Sequence, residues 1–362
     1  MTTSRATTDI ADEILEILEG RKRERTVEAA AVEAAKEPVP EEVTTLTTTP
    51  WANRDDGRTM RLVPFSEMFW TPKYVPDHLV PEFKGYNSAI KPEPYIPPVQ
   101  EFETLSLSIS LGLKVNVVGP TGAGKTLMYE YYAASTGRPY LRIEHNMELD
   151  KASIFGQVHI NVDDDGKQST DFVMGVLPKS LAEPTLCNLD ELSRASGFAN
   201  VMYQRLLDRR ELALPELKSG GTLKPDDFWV VCASDNTKGN GEDMDLYSAS
   251  NVQDASFINR WDIVIEQDYL TQEQEIRLLA GISRTITPTE AERLAKFSYL
   301  CHAGFKKGDI ATAFSPRNLT AIAKLVDAGV TVKDAIRMNY TTRCSKSEQS
   351  AVQEFVAAAF GR

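Results

Sequence analysis

The chain has 362 residues, 42% of them hydrophobic, which is enough for two or three domains and a substantial core. Its 52 acidic against 40 basic residues leave a formal charge of −12, which argues against a surface devoted to nucleic-acid phosphates. No apolar run approaches the roughly 18 residues of a membrane span, and MTTSRATTDIADE lacks the apolar centre of a signal peptide, so the expected location is the cytoplasm (the host's, if the chain is phage-encoded).

Residues 1–60 read as a flexible tail carrying one short amphipathic helix. Ile10, Ile14, Leu15, Ile17 and Leu18 recur at helical spacing, and RKRER, an Ala/Glu tract and EPVPEEVTTLTTTP follow. Two readings stay open for it, a docking peptide for a partner and a solvated tail. Residues 61–99 set Trp70, Tyr74, Phe83, Tyr86 and Tyr95 among prolines. The expectation is an extended segment wrapped over a folded body.

Between 100 and 268 the pattern alternates strand and helix, which implies an α/β unit with a parallel sheet. Val115, Val117 and Val118 form an apolar strand, GPTGAGKT follows at 119–126, and good helix formers run from Leu127 to Ser135. In this G-x4-G-K-[ST] loop, Gly119, Gly122 and Gly124 let the backbone turn tightly and approach a polyphosphate at the positive end of the next helix. Pro120, Thr121 and Ala123 complete the cradle. Lys125 is placed to reach the β and γ phosphates of ATP, and the Thr126 hydroxyl to hold Mg2+.

RPYLRIEH is a second strand candidate. PTLCNLDEL is a third, and it ends in two carboxylates beside the phosphate loop, as open α/β sheets arrange them. Asp190 suits the Mg2+ shell and Glu191 suits the activation of an attacking water. FWVVCASDN ends in Ser234, Asp235 and Asn236, a polar cluster suited to sensing the γ phosphate, with Asn236 either positioning the water together with Glu191 or serving as a helix-cap or turn residue. Arg260, in ASFINRWDIVIEQ, is either a surface ion-pair residue or, in a ring, a group reaching a neighbour's γ phosphate.

Two insertions read as hairpins. Residues 158–175 turn at Asp165-Gly166. Asn161, Asp163, Asp165 and Gly166 superficially match a calcium loop, but Phe172 stands where the bidentate Glu is required. Residues 211–228 form the second hairpin. Residues 269–362 read as helical throughout. Cys187, Cys232, Cys301 and Cys344 are expected as small core residues, and His78, His145, His159 and His302 lack metal-like spacing.

GPTGAGKT, DKASIFGQ, GVLPKSLAEPTLCNLDELSRAS, CASDN, INRW and FSPRNL stand in an order that, over about residues 100–345, resembles the AAA+ ATPases of the MoxR group. The likeness is strongest to its branch of CobS-like cobalt-chelatase ATPase subunits and their phage-borne relatives. The resemblance implies an AAA+ P-loop NTPase core over 100–268 and a small all-α lid over 269–362. It implies Mg-ATP hydrolysis to ADP and phosphate in a ring, expected to be a hexamer. Work would be done on a separate partner protein, in the chelatase case one with an adhesion-type metal-binding domain, and the hairpins would face the pore or that partner. It makes Asn236 the first sensor, Arg260 the arginine finger, Arg317 the second sensor and Arg194 a further interface arginine. Ser315 is expected to cap the helix that opens at Pro316, which places Arg317 in the first turn. A nucleic-acid-stimulated motor and a small-molecule phosphotransferase are the rival functions.

Overall fold

A computed structural model describes residues 46–92, 95–146, 151–162, 168–217, 221–236 and 255–361. These belong to one compact unit, Leu46–Arg362. The helix expected around Ile10–Leu18 and the turn expected at Asp165-Gly166 lie outside the described residues.

The unit opens with a three-stranded antiparallel sheet in the order β1-β2-β3: β1 is Ala52–Asn53, β2 Thr59–Pro64 and β3 Leu79–Lys84. This corrects two expectations. The tail boundary drawn at residue 60 falls inside β2, and the stretch after Phe65 is not simply extended chain. β3 accepts Pro81 because it is the edge strand, where no ladder donor is lost from an interior position. Between β2 and β3 the chain is pinned from below by one carboxylate. Glu103, fully buried on the helix Val99–Ser110, accepts hydrogen bonds from Trp70 Nε1 at 2.7 Å and from the backbone N–H groups of Lys73 and Tyr74. Phe65, Phe69, Trp70 and Phe102 pack as a tilted and edge-on aromatic cluster over the same helix. Of the aromatic residues that read as wrapping material, Phe83 is buried and Trp70 and Tyr95 pack against the core, whereas Tyr74 is exposed.

The centre is a five-stranded parallel sheet. β4 is Val115–Val118 and β5 Tyr140–Glu144; an antiparallel hairpin, β6 Gly156–Val162 with β7 Gln168–Met174, stands apart from the sheet. β8 is Leu186–Asp190, a small hairpin pairs β9 Leu212–Ala213 with β10 Thr222–Leu223, and β11 Val230–Asp235 and β12 Ile263–Glu266 follow. The order across the sheet is β12-β4-β11-β8-β5. All residues of β4 and β8 are buried, the continuous burial that a parallel sheet covered on both faces imposes. The helices Val99–Ser110, Lys125–Ser135 and Gly197–Arg209 supply that cover.

After β12 the chain is helical: Gln272–Ile282, Pro288–Lys307, Pro316–Asp327, Val332–Asn339 and Lys346–Phe360, with a separate apolar core around Phe297, Phe314, Ile322 and Tyr340. Thr271, Thr287 and Ser345 each close a capping box with the Gln or Glu three residues later, so these helices begin where orphan N–H groups are satisfied locally. All four cysteines are free and buried.

Candidate active site

The carboxyl ends of β4, β8 and β11 meet the first turn of the helix Pro316–Asp327 around a cavity of about 680 Å3. β4 runs directly into the glycine loop. A Cβ on Gly119 would stand 1.9 Å from the Gln267 carbonyl oxygen, and one on Gly122 2.6 Å from Ser315 Cβ. Gly124 caps the helix Lys125–Ser135 in the left-handed conformation, φ 93°. The loop thus needs glycine for space as well as for φ, and it lines the cavity at the N-terminus of the helix Lys125–Ser135.

Lys125 is 7% exposed and folds back over the loop: Nζ donates to the carbonyls of Gly119 at 2.8 Å and Pro120 at 3.0 Å and to Asn236 Oδ1 at 3.0 Å. Burial pushes its pKa down to about 8, against the pull of Asp190, Asp235 and Glu191. Thr126 Oγ1 donates to Asp190 Oδ2 at 3.2 Å. The other oxygen of Asp190 accepts from Ser234 Oγ and from the Glu191 N–H. Hydroxyl and carboxylate oxygens so paired are the hard donors that Mg2+ requires.

Glu191 sits in the left-handed region, φ 52° and ψ 45°, one of two non-glycine residues with positive φ among those described. Such backbone costs about 1–2 kcal/mol for an L-residue and turns the side chain out of the strand line towards the cavity. Burial raises its pKa above the ordinary glutamate value, while Arg194, 2.6 Å away at Nη1, opposes that rise.

The polar end of β11 divides its tasks. Ser234 is buried and bonds Asp190 and Asn188. Asp235 accepts from the Ser193 N–H and hydroxyl and from the Asn236 N–H, tying β11 to the turn after β8. Asn236 Oδ1 accepts from Lys125 Nζ, and both Asp235 and Asn236 line the cavity.

Pro120 adjoins the cavity through its carbonyl bond to Lys125, while Thr121, Gly122, Ala123, Gly124, Lys125, Thr126, Asp190, Glu191 and Arg317 line it directly. Ser315 precedes Pro316 as expected, and Asn318 Oδ1 accepts from its N–H and hydroxyl. Arg260 is not brought to this cavity. It precedes β12, at the opposite end of the sheet from the loop, where Nε bonds Asp208 at 3.0 Å.

Several residues at the site escaped the sequence reading. Arg142 reaches from β5 to Asp190 Oδ2 at 2.6 Å, and its partner strand β8 lies more than forty residues on. Gln267 Nε2 donates to the Ala123 carbonyl at 2.7 Å. Tyr95 and Ile96, from the segment before the core, close one wall. Tyr269 stacks on His302 with ring centroids 3.7 Å apart, its hydroxyl 3.4 Å from the Thr121 carbonyl, so the glycine loop touches the first helices of the carboxyl part. Burial holds His302 down to about 4, which keeps that stacked ring neutral near pH 7. An Arg in the middle of RPYLRIEH and a Gln directly after an apolar strand were the available signals.

Residues 114–249 match the AAA domain (dynein-related subfamily). The chain is similar to the aerobic cobaltochelatase subunit CobS of Sinorhizobium sp, 27% identical over 68% of this chain and 75% of that protein. It is also similar to the denitrification regulatory protein NirQ of Pseudomonas aeruginosa, 28% identical over 66% of this chain and 85% of that one. Among solved structures, a RuvB mutant of Thermotoga maritima aligns over 72% of this chain and 75% of its own, with 13% identity and a TM-score of 0.46. Glycine loop, acidic strand end, polar end of β11 and helical carboxyl part stand in one order in the sequence and around one cavity in the fold, and over residues 114–249 the chain carries an AAA domain of the dynein-related subfamily.

Proposed function

We propose that the chain hydrolyses Mg-ATP to ADP and phosphate as one subunit of a ring, and that the ring remodels or activates a separate partner protein. The observation that carries this reading is the convergence of Lys125, Thr126, Asp190, Glu191, Asn236 and Arg317 on a single cavity, from three strand ends and one helix of the carboxyl part.

In this reading the glycine loop holds the triphosphate through its N–H groups, and Lys125 exchanges its bonds to the loop carbonyls and Asn236 for phosphate oxygens. Thr126 and Asp190 would hold Mg2+, which would supply neutralisation of phosphate charge. Glu191 accepts a proton from the water whose oxygen attacks the γ phosphorus, and Asn236 orients that water. The bond to the β–γ bridging oxygen breaks, ADP leaves as the anion and free phosphate is formed. Tyr95 and Ile96, which line the cavity, are the residues assigned to the base and ribose. Arg317 answers the phosphate state and moves the helical part, which transmits it. Arg260 faces Asp208 within its own subunit and completes the site of the next one, with Arg194 as the neighbouring interface arginine.

The named function of one relative, a subunit of an aerobic cobaltochelatase, supports a partner acting in trans. For this chain the corresponding partner is a larger protein bearing an adhesion-type metal-binding domain. The test is steady-state phosphate release with Glu191→Gln alongside the unaltered chain. Hydrolysis should nearly vanish while ATP binding persists; turnover near that of the unaltered chain overturns the assignment.

A further inference from the structure

The amino ends of β4, β5 and β11 frame a second cavity of about 380 Å3, at the end of the sheet away from the glycine loop. β11 joins the two: Val230 lines this cavity and Asp235 the other, roughly 17 Å apart at about 3.3 Å per residue. Three cationic side chains, Lys114, Arg138 and Arg210, line it against one acidic residue, Asp227.

Arg138 is fully buried, yet among the described residues no carboxylate lies within ion-pair distance of it and its Nε has no hydrogen-bond partner. Its one hydrogen bond, Nη1 to the Phe228 carbonyl, is long at 3.4 Å. The acid nearest in charge, Asp226, is already taken by Arg54 and by the Phe228 N–H. The guanidinium is sandwiched instead near the rings of Phe83 and Tyr132, at 5.0 and 5.7 Å. Ser110, another lining residue, also buries its hydroxyl without a partner. An unpaired buried charge is costly, and a guanidinium fork is satisfied best by two coplanar oxygens. The remaining walls, among them Leu62, Leu79 and Ile109, are apolar, and the volume is at the small end of organic-ligand sites, about 300–1,000 Å3.

We propose that this cavity binds a small organic acid, its carboxylate taken by Arg138 and Ser110 and its aliphatic or aromatic body lying against Leu62, Leu79 and Ile109. The site is built jointly by the sheet of β1–β3 and the central sheet, and it does not depend on the nucleotide reaction.

Benzoate, hexanoate and inorganic phosphate are titrated into the full chain by calorimetry and ligand-observed NMR. One or both organic acids should bind, more tightly than phosphate. Arg138→Met should weaken that binding at least tenfold, and Leu79→Trp, which fills the cavity and leaves the charge in place, should do the same, with affinity for a fluorescent ATP analogue unchanged in both. Failure of both acids to bind overturns the proposal, as does equal binding by Arg138→Met, or phosphate binding as tightly as either acid. Should Arg138→Met not fold, Leu79→Trp decides, and undiminished binding there overturns it.

Discussion

Arg194 Nη1 donates to Glu191 Oε2 across 2.6 Å, so the carboxylate proposed to take the water's proton is charge-paired with an arginine of its own turn. Burial raises the Glu191 pKa and this arginine lowers it. The base works only when deprotonated, so activity should fall as the pH drops through a value above the ordinary glutamate range. Removing Arg194 takes away the lowering influence. In Arg194→Ala the acid limb of kcat/KM should therefore move to higher pH, and a limb moving downward or staying in place would separate the pair from catalysis. Glu191→Gln should lose hydrolysis by about 10²- to 10⁴-fold and keep ATP binding.

Lys125 sets the alkaline side. In the proposed mechanism its charged form holds phosphate, and burial brings its pKa down to about 8. Affinity for ATP should therefore decline as pH rises through about 8. Bound phosphates favour the ammonium, so the limb of kcat, which reports the complex, should lie above that of kcat/KM. Lys125→Ala should weaken nucleotide binding itself and flatten this dependence, as read by ATP titrations across pH.

Gly122 couples the loop to the helical part. It has φ +83° and would carry a Cβ 2.6 Å from Ser315 Cβ, on the cap of the helix that bears Arg317. Gly122→Ala should cost about 1–2 kcal/mol from backbone strain, more from the clash, and should raise KM for ATP. A thermal melt and a KM both unchanged would mean that the loop and the helical part are not in the contact described.

Part of this site was legible because its residues are neighbours in sequence. The loop, the Asp190-Glu191 pair and the Ser315-Pro316-Arg317 cap each declare themselves within a few residues, through φ demands, strand ends and capping. The rest depends on registers that no local pattern carries. Arg142 meets Asp190 only because β5 pairs with β8, and Gln267 meets Ala123 only because β12 pairs with β4. The stretch from Thr59 to Lys84 misled for a physical reason: prolines and exposed turns mask an edge strand, and the buried Glu103 that orders them lies on a later helix.

That stretch gives a stability test. Deleting residues 1–45 should leave ATP binding and the unfolding transition of the remaining chain unaltered, because the compact unit begins at Leu46. Deleting residues 1–64 removes β1 and β2, strips the partner of β3 and uncovers the aromatic cluster over Phe102. The second truncation should lose the cooperative transition by calorimetry; a melt equal to that of the first would place the small sheet outside the core.

The ring is tested most directly by mixing two inactive proteins. Arg260→Ala should bind ATP and hydrolyse it poorly, since an arginine finger contributes about 10³- to 10⁵-fold in rate, and Glu191→Gln should be inactive through the other side of the same interface. When the two are mixed under conditions of subunit exchange, some interfaces pair an intact Glu191 with a neighbour's intact Arg260, and phosphate release should recover to a measurable fraction of that of the unaltered chain. Proven mixed assemblies with no recovery would contradict a finger at Arg260 acting in trans, and full activity of Arg260→Ala alone would contradict the ring motor itself.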